Sequence, residues 1–164
     1  MDDTNAIHLL SADHRTVEDL FEKFESARSS SQKQKLVTEI CDELTIHTML
    51  EEEIFYPAVA EAVESDLLEE AYVEHDSAKQ LVLELQSAEP SDEFYDAKVK
   101  VLQELIEHHV KEEERQRDSL FAQARKGDVD LDALGSQILT RKQELKEMAK
   151  AGTLPPPTLL TTPR

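Results

Sequence analysis

Leu44-Thr45-Ile46-His47-Thr48-Met49-Leu50-Glu51-Glu52-Glu53-Ile54-Phe55-Tyr56-Pro57 is the stretch on which the fold turns. Leu44, His47, Glu51 and Ile54 recur three or four residues apart, so they share one face of a helix. Val37 and Ile40 extend that face upstream, and Ala58 extends it downstream. It is the face a helix turns toward a core, yet it carries an imidazole and a carboxylate at its middle. Pro57 brings no backbone N–H, so the helix, read from about Gln32, is expected to kink or end there.

The same pattern returns on three more helices. From about Asn5 to Ala27 the stripe is Ile7, Leu10, His14, Val17, Phe21 and Phe24. Ser29-Ser30-Ser31 breaks it and can cap the next helix. After Ser65-Asp66, read as a cap, the stripe is Leu68, Ala71, His75, Ala78, Val82 and Leu85. Glu89-Pro90-Ser91 is a turn, and Ser91-Asp92-Glu93 places acidic residues at the positive end of a fourth helix. Its stripe runs Tyr95, Val99, Leu102, Ile106, His109, Glu113 and Leu120, to a stop at Lys126-Gly127. A fifth helix, about Asp130 to Lys150, carries Leu131, Leu134, Ile138, Leu145 and Met148 on one side.

Short loops between amphipathic helices favour antiparallel neighbours. The expected fold is all-α: an antiparallel up-down four-helix bundle over residues 1–127 and an accessory C-terminal helix over 128–152. A flexible, Pro-rich tail over 153–164 completes it. The accessory helix either lies across the bundle or pairs with another protein. Composition agrees: 164 residues hold 3 Gly and no Trp, with 33% charged and 39% apolar residues, a helix-former's inventory. A formal charge of −18 repels nucleic acid and anionic membrane surfaces. No run approaches the roughly 18 apolar residues of a membrane span, and Met1-Asp2-Asp3-Thr4-Asn5 begins no secretion signal. One cysteine, Cys41, cannot form an internal disulfide or a thiolate metal site. A cytoplasmic protein is expected.

Each bundle helix thus buries one His: His14, His47, His75 and His109. Two helices add a Glu one turn later, Glu51 and Glu113. Buried imidazoles and carboxylates cost several kcal/mol unless paired or bound to a cation. In a bundle these faces converge on one interior point. Nitrogen and carboxylate donors without thiolate suit Fe, Mn, Zn or Cu and disfavour Mg and Ca. Four His and two Glu exceed one tetrahedral site and fit two metals with bridging carboxylates.

Asp13-His14, His47-x3-Glu51-Glu52 with Phe55-Tyr56-Pro57, Glu74-His75, and His108-His109-Val110-Lys111-Glu112-Glu113-Glu114 together resemble the hemerythrin-like (HHE cation-binding) family, over about residues 4–126. The resemblance implies a four-helix bundle around a non-haem, oxygen-bridged pair of Fe ions. His14, His47, His75 and His109 match its terminal ligands, and Glu51 and Glu113 its bridging carboxylates.

Three departures stand out. Oxygen-carrying members have a fifth His, four residues from the one in helix three; here Ala71 and Lys79 hold those positions. Tyr72 and Tyr56 are the nearest substitutes, and each is more simply read as an ordinary core or surface Tyr. His108-x3-Glu112 repeats the spacing of His109-x3-Glu113, and periodicity barely separates the two pairs. The Leu-Phe-Pro expected after the second Glu pair is displaced to Leu120-Phe121-Ala122 without its Pro, so the fourth helix is expected to run on straight. His8 reads as a surface residue; Glu52 and Glu114 read as partners behind the ligands or, more simply, as exposed residues.

The implied activity is binding or sensing of dioxygen or a related small molecule such as peroxide or nitric oxide, in a pocket lined by residues such as Phe21, Phe24, Leu44, Ile54 and Ile106. Detoxifying turnover of peroxide or nitric oxide is the enzymatic alternative. A metal-free acidic adaptor, meeting partners through the fifth helix and Pro155-Pro156-Pro157, is the alternative from another class.

Overall fold

A computed structural model describes residues 5–162; the remaining residues of the expected first and last segments, 1–4 and 163–164, lie outside it. The described residues are helical, with no strand. Four long helices come in two pairs, α1 (Ala6–Ser26) with α2 (Ser30–Leu50) and α4 (Ser65–Gln86) with α5 (Tyr95–Val110); the short α3 (Tyr56–Val59) follows the first pair and α6 (Leu120–Lys126) the second. A last helix, α7, spans Leu131–Ala151.

Packing closes a ring: α1 on α2, α2 on α4, α4 on α5, and α5 back on α1. Phe24 at the end of α1 meets Tyr95 at the start of α5, so those two helices run in opposite directions. Cys41 lies against Val82 while Glu51 meets His75, which sets α2 against α4 in the same way. Helix α7 lies on α1 and α2 of its own chain, burying Leu134, Ile138 and Leu145.

Local chemistry sets the ends. Asn5, Ser29 and Asp130 cap α1, α2 and α7 by accepting a backbone N–H near each start. Gly152 closes α7 at φ +73°, a left-handed conformation that favours glycine. Two expected starts move. Helix α4 begins at Ser65 itself, with the Glu64 N–H held by the Gln123 side chain. Helix α5 begins at Tyr95 rather than Ser91, because Asp92 turns back to accept from the Glu89 N–H.

Two larger departures shape the interior. Beyond α2, residues Glu51–Phe55 form a π turn in which the Tyr56 N–H bonds Glu51 O. Pro57, which has no N–H to offer, sits just after it, and the helix ends at Val59. Lys111–Arg115 form a second π turn, closed from the Gln116 N–H to Lys111 O. The fourth helix therefore does not run on to Lys126. Gln116 goes extended, and the buried Ser119 caps α6 by accepting from the Ala122 N–H. The chain folds back so that Leu120, Phe121 and Ala124 are fully buried. Gly127 ends α6 where a Cβ would lie 2.4 Å from that of Ala62.

The apolar interior is divided into two clusters. One gathers Val17, Phe21, Leu44, Val82, Leu102 and Ile106. The other gathers Leu10, Leu50, Phe55, Tyr56, Phe121 and Ile138. The sequence-derived pocket spans this division: Ile54 packs on the second cluster, and Phe24 lies far along the first, against Tyr95.

Residues 153–162 carry no helix and are docked on α4. Asp76 accepts from the Leu160 and Thr161 N–H groups, and Lys79 donates to Thr158 O. Leu154 packs on the second cluster. Among the described residues no helix is long and apolar enough to cross a membrane.

Phe121 is closed off from solvent, sits edge-on to Phe55 and stacks on His14. Phe121→Ala is expected to cost about 3–5 kcal/mol in urea unfolding, as cavity formation there cannot easily relax. A loss below about 1 kcal/mol would show that α6 contributes little to the core.

Candidate metal centre

Between the two apolar clusters lies one polar layer. His14, His47, Glu51, His75, His109 and Glu113 are each no more than 5% exposed. They gather as two triads, His14/His47/Glu113 and Glu51/His75/His109. Within each, two imidazoles aim their Nε2 atoms at one another, 3.2 Å apart. The carboxylates span both triads. Glu51 Oε1 is 2.9 Å from His47 Nε2 and 3.2 Å from His75 Nε2. Glu113 reaches His14 Nε2 at 3.3 Å and His109 Nε2 at 3.1 Å.

Around this layer runs a second one of acids. Asp13 Oδ2 stands 3.0 Å from His47 Nδ1. Glu52 and Glu74 stand 2.8 Å from Nδ1 of His75 and His109. Glu114 lies 3.7 Å from His14 Nδ1, beyond hydrogen-bond reach. The four form a cycle: α1 backs the His of α2, the turn after α2 backs that of α4, α4 that of α5, and the turn after α5 that of α1. A carboxylate on Nδ1–H fixes the tautomer and leaves the Nε2 lone pair facing inward. Glu52 and Glu114 are thus members of the site, not surface residues as their acidic runs suggested. Asp13 and Glu74, adjacent to ligand-type His in sequence, serve the neighbouring helix's His instead.

Tyr56 completes the layer. Its hydroxyl donates to Glu113 Oε2 at 2.5 Å and lies 3.2 Å from His75 Nε2. Straight α-helical spacing puts Tyr56 about 140° around the axis from Glu51. The π turn inserts one residue into that revolution and brings Tyr56 onto the same face. Tyr72 is half-buried and packs against Tyr56 rather than entering the site. His108 is 59% exposed and faces outward between Glu74 and Glu112, each 3.1 Å away. The inward pair on α5 is therefore His109 and Glu113.

Burial disfavours charge on His14, His47, His109 and Glu51, and pairing overcomes it. For His47, burial pushes the imidazole pKa down, but the charge of Glu51 and hydrogen bonds to Asp13 and Glu51 push it up to about 10. His109 is raised well above its ordinary value against burial, by Glu113 first and then by Glu51 and Glu74. His14 is raised against burial by Glu113 and Glu114. Burial would raise Glu51, yet the neighbouring His47 holds it well below the usual carboxylate range. Burial, reinforced by Glu113 and Glu51, keeps the Tyr56 phenol protonated.

The donor set fits metal ions. Two imidazole nitrogens bound at right angles on one ion, each at about 2.0–2.1 Å, would be separated by about 3 Å. Both observed pairs match that spacing. Glu51 Oε2 and Glu113 Oε1 are shut from solvent without a hydrogen bond, lone pairs that a cation would satisfy.

Residues 5–117 match the Hemerythrin HHE cation binding domain. The chain belongs to the hemerythrin HHE cation-binding family. The crystal structure of an HHE cation-binding domain-containing protein of Mycobacterium kansasii, an Rv2633c homologue, superposes with a TM-score of 0.75 at 25% identity, covering 90% of each chain. A DNA nickase of Nostoc sp. (strain PCC 7120) is 28% identical over 123 residues, 75% of this chain but 34% of that protein. This HHE chain thus spans about a third of that relative's length. Helix α7 and the docked tail lie beyond the matched family region.

Two expectations follow. His109→Ala should lower metal binding by about one ion or weaken it at least tenfold, while His108→Ala leaves it unchanged; elemental analysis of both variants decides, and the reverse result would mean that α5 is rotated. The second concerns pH. An imidazole whose pKa is raised in the fold adds stability below its unfolded value of about 6.5, and that stability disappears as pH climbs toward the folded value. Metal-free protein should therefore melt at falling temperatures from about pH 6.5 to about pH 10. Metal binding needs neutral imidazoles, so affinity should rise over the same window. A flat melting profile for the metal-free chain would show that His47 is neutral in the fold.

Proposed function

We propose that the chain is an antiparallel up-down four-helix bundle built around a non-haem di-iron centre. Its role on this reading is to bind or sense dioxygen or a related small molecule, such as peroxide or nitric oxide. The observation that carries the reading is the pair of buried triads, each presenting two convergent imidazole nitrogens and a carboxylate shared with the other. His14 and His47 would hold one ion, His75 and His109 the other, and Glu51 and Glu113 would bridge them. The nitrogen-and-oxygen donor set suits iron as well as zinc, and family membership favours iron. Bound there, a pair of ferrous ions supplies electrons and an open position to a small oxidant.

The chain's own residues prepare the place. Asp13, Glu52 and Glu74 orient His47, His75 and His109. Phe121 and Phe55 wall the site on one side and exclude water. A metal-free adaptor role leaves the unpaired oxygens of Glu51 and Glu113 without a purpose.

One observation favours detoxifying turnover as a second reading. Tyr56 aims a protonated phenol into the site and can hand a proton to a reacting oxygen.

Location and partners follow from chemistry of the same kind. The thiol of Cys41 is buried and its pKa pushed up by burial to about 12, which suits a chain working reduced in a cytoplasm. A charge of −18 argues against nucleic acid and membrane partners. A protein partner would meet the outward face of α7, where Gln137, Lys146 and Glu147 are exposed.

Protein purified without an affinity tag should contain close to two irons per chain and show charge-transfer absorption when oxidised. Less than half an iron per chain after anaerobic reconstitution would reject the di-iron reading. Tyr56→Phe then separates the two roles: peroxide consumption that falls tenfold or more supports turnover, and unchanged consumption assigns the phenol a structural part.

A further inference from the structure

Each outer acid is itself held by a cation or an imidazole, and one of those cations comes from an unexpected place. Glu114 is held by Arg15 from α1 at 2.5 Å, and Glu52 by Lys79 from α4 at 2.7 Å. Glu74 faces His108 on α5 at 3.1 Å. All of these partners lie within the matched family region. Asp13 is different. Its Oδ1 is bonded by Lys142 of α7, a helix outside that region.

The geometry points to Lys142 as a positioning residue for the metal centre, acting through Asp13 on His47. The chain of contacts is continuous. Lys142 Nζ meets Asp13 Oδ1, Asp13 Oδ2 lies 3.0 Å from His47 Nδ1, and His47 Nε2 lies 2.9 Å from Glu51 Oε1. The side chains of Asp13 and His47 are only 4% and 7% exposed, and that of Lys142 only 17%, so the chain of contacts runs largely out of water. With one oxygen tied to Lys142, the Asp13 carboxylate has its other oxygen fixed toward His47 Nδ1. Without that tie the carboxylate can turn away, and the ring it orients is free to turn with it. Lys142 thus holds Asp13 in place, and Asp13 keeps His47 Nε2 pointed inward. Helix α7 is on this account part of the centre's construction and not only a cover for α1 and α2.

This inference rests on the metal reading of the two triads, and the experiment separates the two. Wild type, Lys142→Met, Lys142→Arg and Asp13→Asn are loaded anaerobically with Fe2+ in competition with a chelator, and the visible spectrum is recorded after oxidation. Arg141→Met serves as the control, because it removes the Arg141–Glu53 pair that also fastens α7 but reaches no ligand. Affinity for one of the two ions should fall about 10–100-fold in Lys142→Met and in Asp13→Asn, with a shifted spectrum. The double variant should be no worse than either single one, and Lys142→Arg should restore both readouts. Arg141→Met should lower the melting temperature without moving affinity or spectrum. Unchanged iron affinity and spectrum in Lys142→Met would overturn the proposal, as would an equal defect in Arg141→Met. Should Lys142→Met not fold, Lys142→Gln is measured in its place under the same criteria. A wild type that takes up no iron would instead reject the metal reading itself.

Discussion

Charge balance in a layer closed to water is the constraint on which the rest of this protein depends. Six carboxylates, Glu51, Glu113, Asp13, Glu52, Glu74 and Glu114, lie in or against the site. Three fixed cations, Lys142, Lys79 and Arg15, hold three of them. Three negative charges remain. In the metal-free fold the carboxylates raise the pKa values of His47, His109 and His14, so these imidazoles are where protons would match that charge. Two divalent ions would replace those protons and satisfy the unpaired carboxylate oxygens as well. Protons and metals are thus alternative occupants of the same charge vacancy, which is why pH and metal supply should act on stability in opposite directions.

The cyclic placement of the outer acids gives the layer a second property. His47, His75 and His109 each receive an orienting carboxylate from a neighbouring segment, and Glu114 stands near the fourth imidazole, that of His14. Rotating one helix would then break two contacts, one given and one received. That mutual dependence selects a single rotation for each helix, which hydrophobic contact alone leaves loosely defined.

Much of the site was legible in the sequence because four stripes placed one His each at mid-face, and periodicity is what fixes an inward direction. The choice between His108 and His109 was not legible, since adjacent residues lie about 100° apart and both had apolar neighbours. Tyr56 was named as a substitute but could not be told from Tyr72 or from an ordinary core residue: α-helical arithmetic turns it away from Glu51, and only a π turn brings it round. Pro57 and the run of three Glu marked where helix geometry would fail without saying how. The break after Arg115 was missed in the same way, although Asp118-Ser119 before Leu120-Phe121 carried the cap. Glu52 and Glu114 could not be assigned from acidic runs, because a run has no phase. The docking of the tail depends on Asp76 and Lys79, whose partners lie about eighty residues away along the chain.

Both π turns fall where a ligand-type carboxylate must stand beside a second group that the α-helical period would direct elsewhere. At Glu51–Phe55 that second group is the Tyr56 phenol. At Lys111–Arg115 it is Glu114, one residue after Glu113, reaching toward His14 while Glu113 reaches inward. An α-helix separates consecutive side chains by about 100°, too far for both to serve one imidazole on the facing helix. Widening the turn reduces that angle, at the cost of weaker backbone packing within it. A straight helix would leave the outer acid of His14 on the surface and the hydroxyl of Tyr56 in the apolar cluster. The irregular turns are therefore what allows this sequence to build an inner and an outer layer of ligands from the same short runs of glutamate.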